Sequence, residues 1–329
     1  MGANADTDTH SADIRSVRVA VGILQRACGE VLVAERAAHR HAGGGLEFPG
    51  GKCEPGESLH GALAREIGEE LGVTIAHWEP LIRVRHDYGD RRVVLGACRI
   101  TDWVGEPHGA EGQAIHWVSP AVLDMGALPA ANRPILAALR SPARCLVTPD
   151  TDQVGSSAEL IRGIEAAIAG SRVGMVQLRR HDRGTAGWWA LVREAVQCCA
   201  DRDVPCLVNV DPEQIPDLPE RAGVHLRAGV ARTLTQRPVD PAVPFSCAAH
   251  DAAELAHARW LGADYAFLGP VHPTASHPGG AALGWSAFAA LTATTDLPIY
   301  ALGGLVPQDL AAARAAGAIG VAGIRGFWS

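Results

Sequence analysis

The chain has 329 residues, 47% of them hydrophobic, and a formal net charge of −7. That length supplies core enough for two domains, and the acidic balance argues against a nucleic-acid polymer as partner. No apolar run approaches the roughly 20 residues that span a bilayer, so neither a membrane span nor a membrane partner is expected.

The opening "MGANADTDTHSADIR" lacks the apolar core of a signal peptide, and residues 1–16 read as a disordered tail. The eight cysteines are scattered and form no CxxC pair. Reduced thiols and a cytoplasmic location are expected. From Val17, "VRVAVGIL" predicts a strand, and "LVAERAAH" predicts a strand followed by a basic loop. Next comes "LEFPGGKCEPGE", a loop in which Gly50 and Gly51 let the backbone turn tightly and approach a ligand.

In "GESLHGALAREIGEELG" the apolar residues Leu59, Leu63, Ile67 and Leu71 recur every fourth position, one stripe of a helix. Ser58 suits the N-cap and Gly72 the C-terminal stop. Glu66 and Glu70 border that stripe, Glu69 lies slightly further round, and Arg65 further still. One reading is a solvated charged face. The other is a carboxylate cluster made favourable by a divalent cation, for which oxygen-only ligands suit Mg²⁺ or Mn²⁺. Beyond the helix, "GDRRVVL" gives a turn into a strand and "GEPHGAEGQAIHWV" runs into the last strand. In "PAANRPILAALR", Asn132 suits a helix N-cap with Pro134 in the first turn.

Gly51, Glu57, Arg65, Glu66, Ile67, Glu69, Glu70, Gly72 and Val73 match the Nudix box at every defined position. Residues 17–141 resemble a Nudix hydrolase of the MutT type from "VRVAVGIL" to "PAANRPILAALR". The resemblance implies an α/β/α sandwich that hydrolyses a nucleoside diphosphate linked to a further group. It implies Mg²⁺ held by Glu66, Glu69, Glu70 and the Gly50 carbonyl, with Glu111 as a further metal-side acid. Glu57 and Arg65 would brace the loop against the helix, and either Glu66 or Glu111 would take the proton from water. Arg36 and Arg91 match side chains lining the nucleotide site, although both also read as plain surface arginines. Phe48 matches an aromatic near the base, and Asn132 an amide that meets the purine edge. The preferred substrate implied is 8-oxo-dGTP; the alternative is another nucleoside diphosphate derivative.

Around Ser141 and Pro142 the pattern changes. "RCLVTPD", "VGMVQLRR", "PCLVNV", "GVHLR", "FSCAAH", "DYAFLGPV", "PIYALGG" and "IGVAGIRG" alternate with Ala-rich helical stretches, predicting a TIM-type βα barrel over 142–329. Only a short "FWS" tail follows the eighth strand, so the last helix is expected to be missing or truncated. Polar residues fall at the strand ends where such barrels place their sites: Gln177, Arg179, Asn209, His225, His250 and Thr274.

This half resembles thiamine phosphate synthase and its relative TenI through "VQLR", "GVHL", "GADYAFLGPVHPT" and "ALGG". The resemblance implies that Gly303 and Gly304 contribute to a phosphate cup. Departures stand beside it. Histidines 181 and 277 replace the family's lysines, Asn209-Val210 replaces its Asn-Asp pair, and no lysine occurs in this half. Three readings follow: a thiamine-pathway enzyme of altered chemistry, a phosphate-ligand sensor or stabilising partner for the first half, or a vestigial scaffold. The second, non-synthase reading is preferred.

Overall fold

The computed structural model describes residues 16–36, 45–89, 91–170, 173–179, 186–274 and 281–328. The expected tail, save Ser16, and the two histidines at 181 and 277 lie outside the described residues. Among the described residues no helix is long and apolar enough to cross a membrane.

The first half holds seven strands: β1 (Ser16–Leu24), β2 (Val31–Glu35), β3 (Leu46–Glu47), β4 (Gly50–Lys52), β5 (Thr74–Asp87), β6 (Arg92–Val104) and β7 (Ile115–Val118). They form a four-stranded sheet ordered β4-β1-β6-β5 and a three-stranded sheet ordered β3-β2-β7. β1 and β6 run parallel, while β4 and β5 flank them antiparallel.

From Ala20 to Leu24 β1 is buried on both faces, and its period of two sorts these residues between two cores. Ala20 and Leu24 face helix α1 (Leu59–Leu71), whereas Val21 and Ile23 face the side covered by α2 (Arg133–Arg140). Gly22 and Gly96 also turn to α1, where an added Cβ would overlap Ile67 or Leu59. Helices on both faces of the larger sheet make the expected α/β/α sandwich.

α1 follows the predicted pattern. Ser58 Oγ accepts from Gly61 N at 3.0 Å, a cap of about 1 kcal/mol. Gly72 closes the helix in the left-handed region at φ 67°. Leu63, Ile67 and Leu71 are fully buried.

α2 passes through residues 141–143 directly into β8 (Arg144–Val147). The remaining strands follow: β9 (Met175–Leu178), β10 (Cys206–Asn209), β11 (Ala222–Leu226), β12 (Phe245–Ala249), β13 (Tyr265–Leu268), β14 (Ile299–Leu302) and β15 (Gly320–Gly323). These eight pair in parallel and close as a barrel.

No helix follows β15 among the described residues. Instead the tail covers that flank: Phe327 is fully buried, and Trp328 lies against Gly163, whose missing Cβ leaves room for the indole.

The barrel interior is polar on one side. His225 is enclosed, with Nδ1 2.9 Å from Ser246 Oγ and its ring edge-on to Phe267. Burial pulls its pKa down to about 3, so the folded barrel keeps it neutral while the unfolded chain protonates near pH 6.5. Its contribution to stability is complete above about pH 6.5 and is lost as pH falls toward 3. We predict that His225→Gln reduces the stability lost between pH 7 and pH 4.5 by about 2 kcal/mol. Urea unfolding at both pH values checks this, and an unchanged pH slope would contradict it.

Candidate active site

The site assembles at the glycine turn, because β4 lies beside β1 and under α1. Gly50 has φ 142°, and a Cβ there would overlap the Ala20 carbonyl of β1. At Gly51 a Cβ would overlap the Glu66 carboxylate. Both glycines therefore allow backbone to meet a neighbour that any side chain would push away. The Gly50 N–H donates to Glu70 Oε2 at 2.9 Å.

Glu66 and Glu70 are half-buried while Glu69 is exposed, as the position of the apolar stripe predicts. Burial pushes Glu70 up to about 7; the Gly50 hydrogen bond opposes this, and the charges of Glu111, Glu47 and Glu66 add to it. Glu111 is carried by the loop after β6, which is pinned to the end of α1. His108 N donates to Leu71 O, and Ala110 N and Gln113 Nε2 both donate to Glu70 O. Those bonds satisfy carbonyls that a helix end leaves open, and they keep Glu111 near enough for its charge to act on Glu70.

Arg65 is the hub of the charged surface. It reaches Glu57 at 3.0 Å, Glu66 at 2.8 Å and Glu69 at 3.3 Å, and donates to the Lys52 carbonyl at 3.0 Å. Its hydrogen bond to Glu57 holds that carboxyl below the usual range. The expected Glu57–Arg65 pair thus ties loop to helix. Sequence reasoning did not foresee that the same guanidinium would also take Glu66 and Glu69.

Among the described residues no three His, Cys, Asp or Glu side chains gather into a closed metal cluster. The acids are instead shared between Arg65 and the glycine turn. Their chemistry nonetheless fits a divalent cation. Carboxylates whose charges add to the raised proton affinity of Glu70, beside a turn whose backbone closely approaches them, are the hard donor set that suits Mg²⁺ or Mn²⁺.

The residues expected at the nucleotide fall into two groups. Phe48 is buried, and its N–H donates to Asn132 Oδ1 at 3.4 Å. Asn132 is 8% exposed and makes no side-chain cap at the start of α2. Its amide faces Phe48 rather than the helix it precedes. Arg36 ends the loop edge of β2 and pairs with Glu47 at 2.9 Å. Arg91 sits on the β5–β6 turn, its guanidinium 5.3 Å from the Tyr88 ring centroid. Glu47 was missed from sequence, although it stands immediately before Phe48 in "LEFPGG"; the pairing of β3 with β2 brings it to Arg36.

In the barrel, Gly303 (φ 104°) and Gly304 (φ 70°) follow β14. Their turn lies against residues 270–273, with His272 N donating to the Gly303 carbonyl at 3.0 Å. Asp211, displaced by one position from the family's acid, is bound by Arg227 at 2.8 Å. Gln177, Asn209 and His225 are buried at the strand ends, while His250 reaches outward to Glu254 at 2.9 Å.

Comparison with known proteins agrees with both halves. Residues 20–138 match the family described as NUDIX domain, and residues 144–327 the family described as thiamine monophosphate synthase. The chain is 37% identical over 127 residues to the 8-oxo-dGTP diphosphatase of Escherichia coli (strain K12), covering 39% of this chain and 98% of that protein. It is 34% identical over 125 residues to the CTP pyrophosphohydrolase of the same organism, covering 38% and 91%. The thiamine-phosphate synthase of Salinispora tropica is 34% identical over 167 residues, covering 48% of this chain and 78% of that protein. A complete Nudix box folded around its glycine turn, followed by a closed eight-stranded parallel barrel, accounts for both matches: the chain belongs to the Nudix family through its first half and to the thiamine monophosphate synthase family through its second.

Proposed function

We propose that the chain is a divalent-metal-dependent nucleoside triphosphate pyrophosphohydrolase, cleaving a phosphoric anhydride bond to release a nucleoside monophosphate and pyrophosphate. The preferred substrate is 8-oxo-dGTP, which makes the role one of nucleotide-pool sanitation. Residues 17–141 are the Nudix domain, and 142–329 the barrel. The observation that carries the reading is the half-buried pair Glu66 and Glu70 against the Gly50–Gly51 turn.

In this account Glu66, Glu69, Glu70, Glu111 and the Gly50 carbonyl would hold Mg²⁺. A bound divalent ion would neutralise phosphate oxygens and acidify the attacking water. Glu66 or Glu111 accepts the water's proton at a carboxylate oxygen. Arg65, with Glu57, keeps the loop on α1 so that the acids stay aligned. Arg36 and Arg91 meet the nucleotide from the rim, and Phe48 packs near the base. Asn132 reads the base edge: with Oδ1 turned to the Phe48 amide, its Nδ2 hydrogens are directed to an acceptor on the purine. The identity to a CTP pyrophosphohydrolase supports a second reading, in which another nucleoside triphosphate is preferred.

The barrel is proposed as a phosphate-binding or regulatory unit without synthase activity. The absence of lysine from residues 142–329 and of an acid at Val210 supports this, since both leave less charge to hold a metal-bound pyrophosphate. Formation of thiamine phosphate by the full-length chain would overturn that part.

Turnover of nucleoside triphosphates with Mg²⁺, with pyrophosphate release followed, tests the main reading. We predict that Glu70→Gln lowers kcat at least about 100-fold with the thermal unfolding transition retained; unchanged turnover would contradict the metal assignment. Asn132→Ala should lower the preference for 8-oxo-dGTP over dGTP by about tenfold or more, through lost discrimination rather than lost chemistry. An unchanged preference would favour the second reading.

A further inference from the structure

The two halves are joined without a free linker, and the join falls at the helix that begins beside Asn132. α2 starts at Arg133 and ends at Arg140; Ser141 Oγ donates back to the Ala137 carbonyl at 2.7 Å. The next carbonyl, Pro142 O, accepts from the phenol of Tyr300, a fully buried residue of β14, at 2.6 Å. β8 begins two residues later. Tyr300 itself is fixed by stacking on Phe267, with ring centroids 5.1 Å apart, and by the edge of Tyr265.

Packing carries the connection further. Phe48, Ile135, Leu136, Tyr265, Tyr300 and Ile319 belong to one continuous buried apolar cluster. The core behind the nucleotide corner is thus the same core that floors the barrel. On the far side of α2, β5 is also held by the barrel. Arg314, in the helix Leu310–Ala315, is buried and pairs with Glu79 of β5, which also pairs with Arg99 at 3.4 Å. Arg85 of β5 donates to the Ala293 carbonyl at 3.2 Å. α2 therefore lies between a strand clamped to the barrel and the barrel floor itself.

We propose that the barrel anchors the base-reading corner of the Nudix half, with Tyr300 and Arg314 as positioning residues that hold α2, and through it Asn132, against Phe48. This rests on the reading of Asn132 as the residue that meets the base. An isolated Nudix sheet has solvent where this chain has the barrel floor. In such a well-packed corner, a shift of α2 by a fraction of an ångström changes the Phe48–Asn132 hydrogen bond before it disturbs the acids of α1. Tyr300 bonds to Pro142 and Arg314 to Glu79, and neither pairs with Glu66, Glu69 or Glu70, so their effect separates from the chemistry.

The test uses the full-length chain with Tyr300→Phe and Arg314→Met made separately. Amide hydrogen exchange at Phe48 is measured in each, together with kcat and KM for 8-oxo-dGTP and dGTP. The account expects the Phe48 amide to exchange faster in both variants. It also expects the preference for the oxidised nucleotide to fall by about three- to tenfold through a raised KM, with kcat and the half-saturating Mg²⁺ concentration held within about twofold. Unchanged exchange and unchanged preference would overturn it. An equal loss of kcat on both nucleotides would overturn it as well, since that marks general loosening. Asn132→Ala serves as the control: if it leaves preference unchanged, the base-reading role itself falls. Phe48 exchange then decides the anchoring alone, faster exchange supporting it and unchanged exchange refuting it.

Discussion

Glu70 accepts the Gly50 amide hydrogen while losing much of its water, and the neighbouring acids Glu111, Glu47 and Glu66 add to its difficulty. Taken alone, such an arrangement is unfavourable, because a desolvated carboxylate among like charges resists ionisation. The surrounding structure meets the difficulty at three points. Glycine at 50 and 51 brings backbone where a side chain would collide, Arg65 draws off the charge of Glu66 and Glu69, and the loop bearing Glu111 is hydrogen-bonded to the end of α1. What remains is a half-neutralised pocket of oxygen donors, matched to a cation and the phosphate chain it would accompany.

The second half of the chain enters the same account through packing. A parallel barrel needs its interior filled and its lower end closed. Here the closing material comes from the helix that ends the Nudix sandwich and from the three residues that follow it. The charges that the resemblance implies at the barrel mouth are altered: an arginine occupies Asp211, and residues 142–329 contain no lysine. Yet the barrel core is intact, with Phe327 fully buried and Trp328 packed on Gly163 beside it. A barrel kept whole while its mouth changes is consistent with a part that is needed for its floor.

Much of this was legible in the sequence because the signals were local. The four-residue spacing of Leu59, Leu63, Ile67 and Leu71 placed Glu66 and Glu70 beside the buried seam, and Ser58 and Gly72 marked the ends of α1. Eight apolar runs separated by helical stretches were enough to recognise the barrel. What escaped depends on contacts distant in sequence. The reach of Arg65 to three acids follows from one rotamer, and the place of Glu47 follows from β3 pairing with β2. Asn132 was readable as a helix cap, but its amide turns to Phe48, 84 positions away. The Arg99–Glu79–Arg314 clamp spans both halves, and no periodicity within either half points to it.

The central claim is that the acids of α1 and the glycine turn form a divalent-cation site. Mn²⁺ binding to the full-length chain, counted by electron paramagnetic resonance in the absence of nucleotide and again with a non-hydrolysable nucleotide, tests it most directly. The account predicts Mn²⁺ bound by the native chain, more tightly with nucleotide, and this binding lost when Glu66 and Glu70 are both changed to Gln. Mn²⁺ binding of equal strength in that double variant would contradict it.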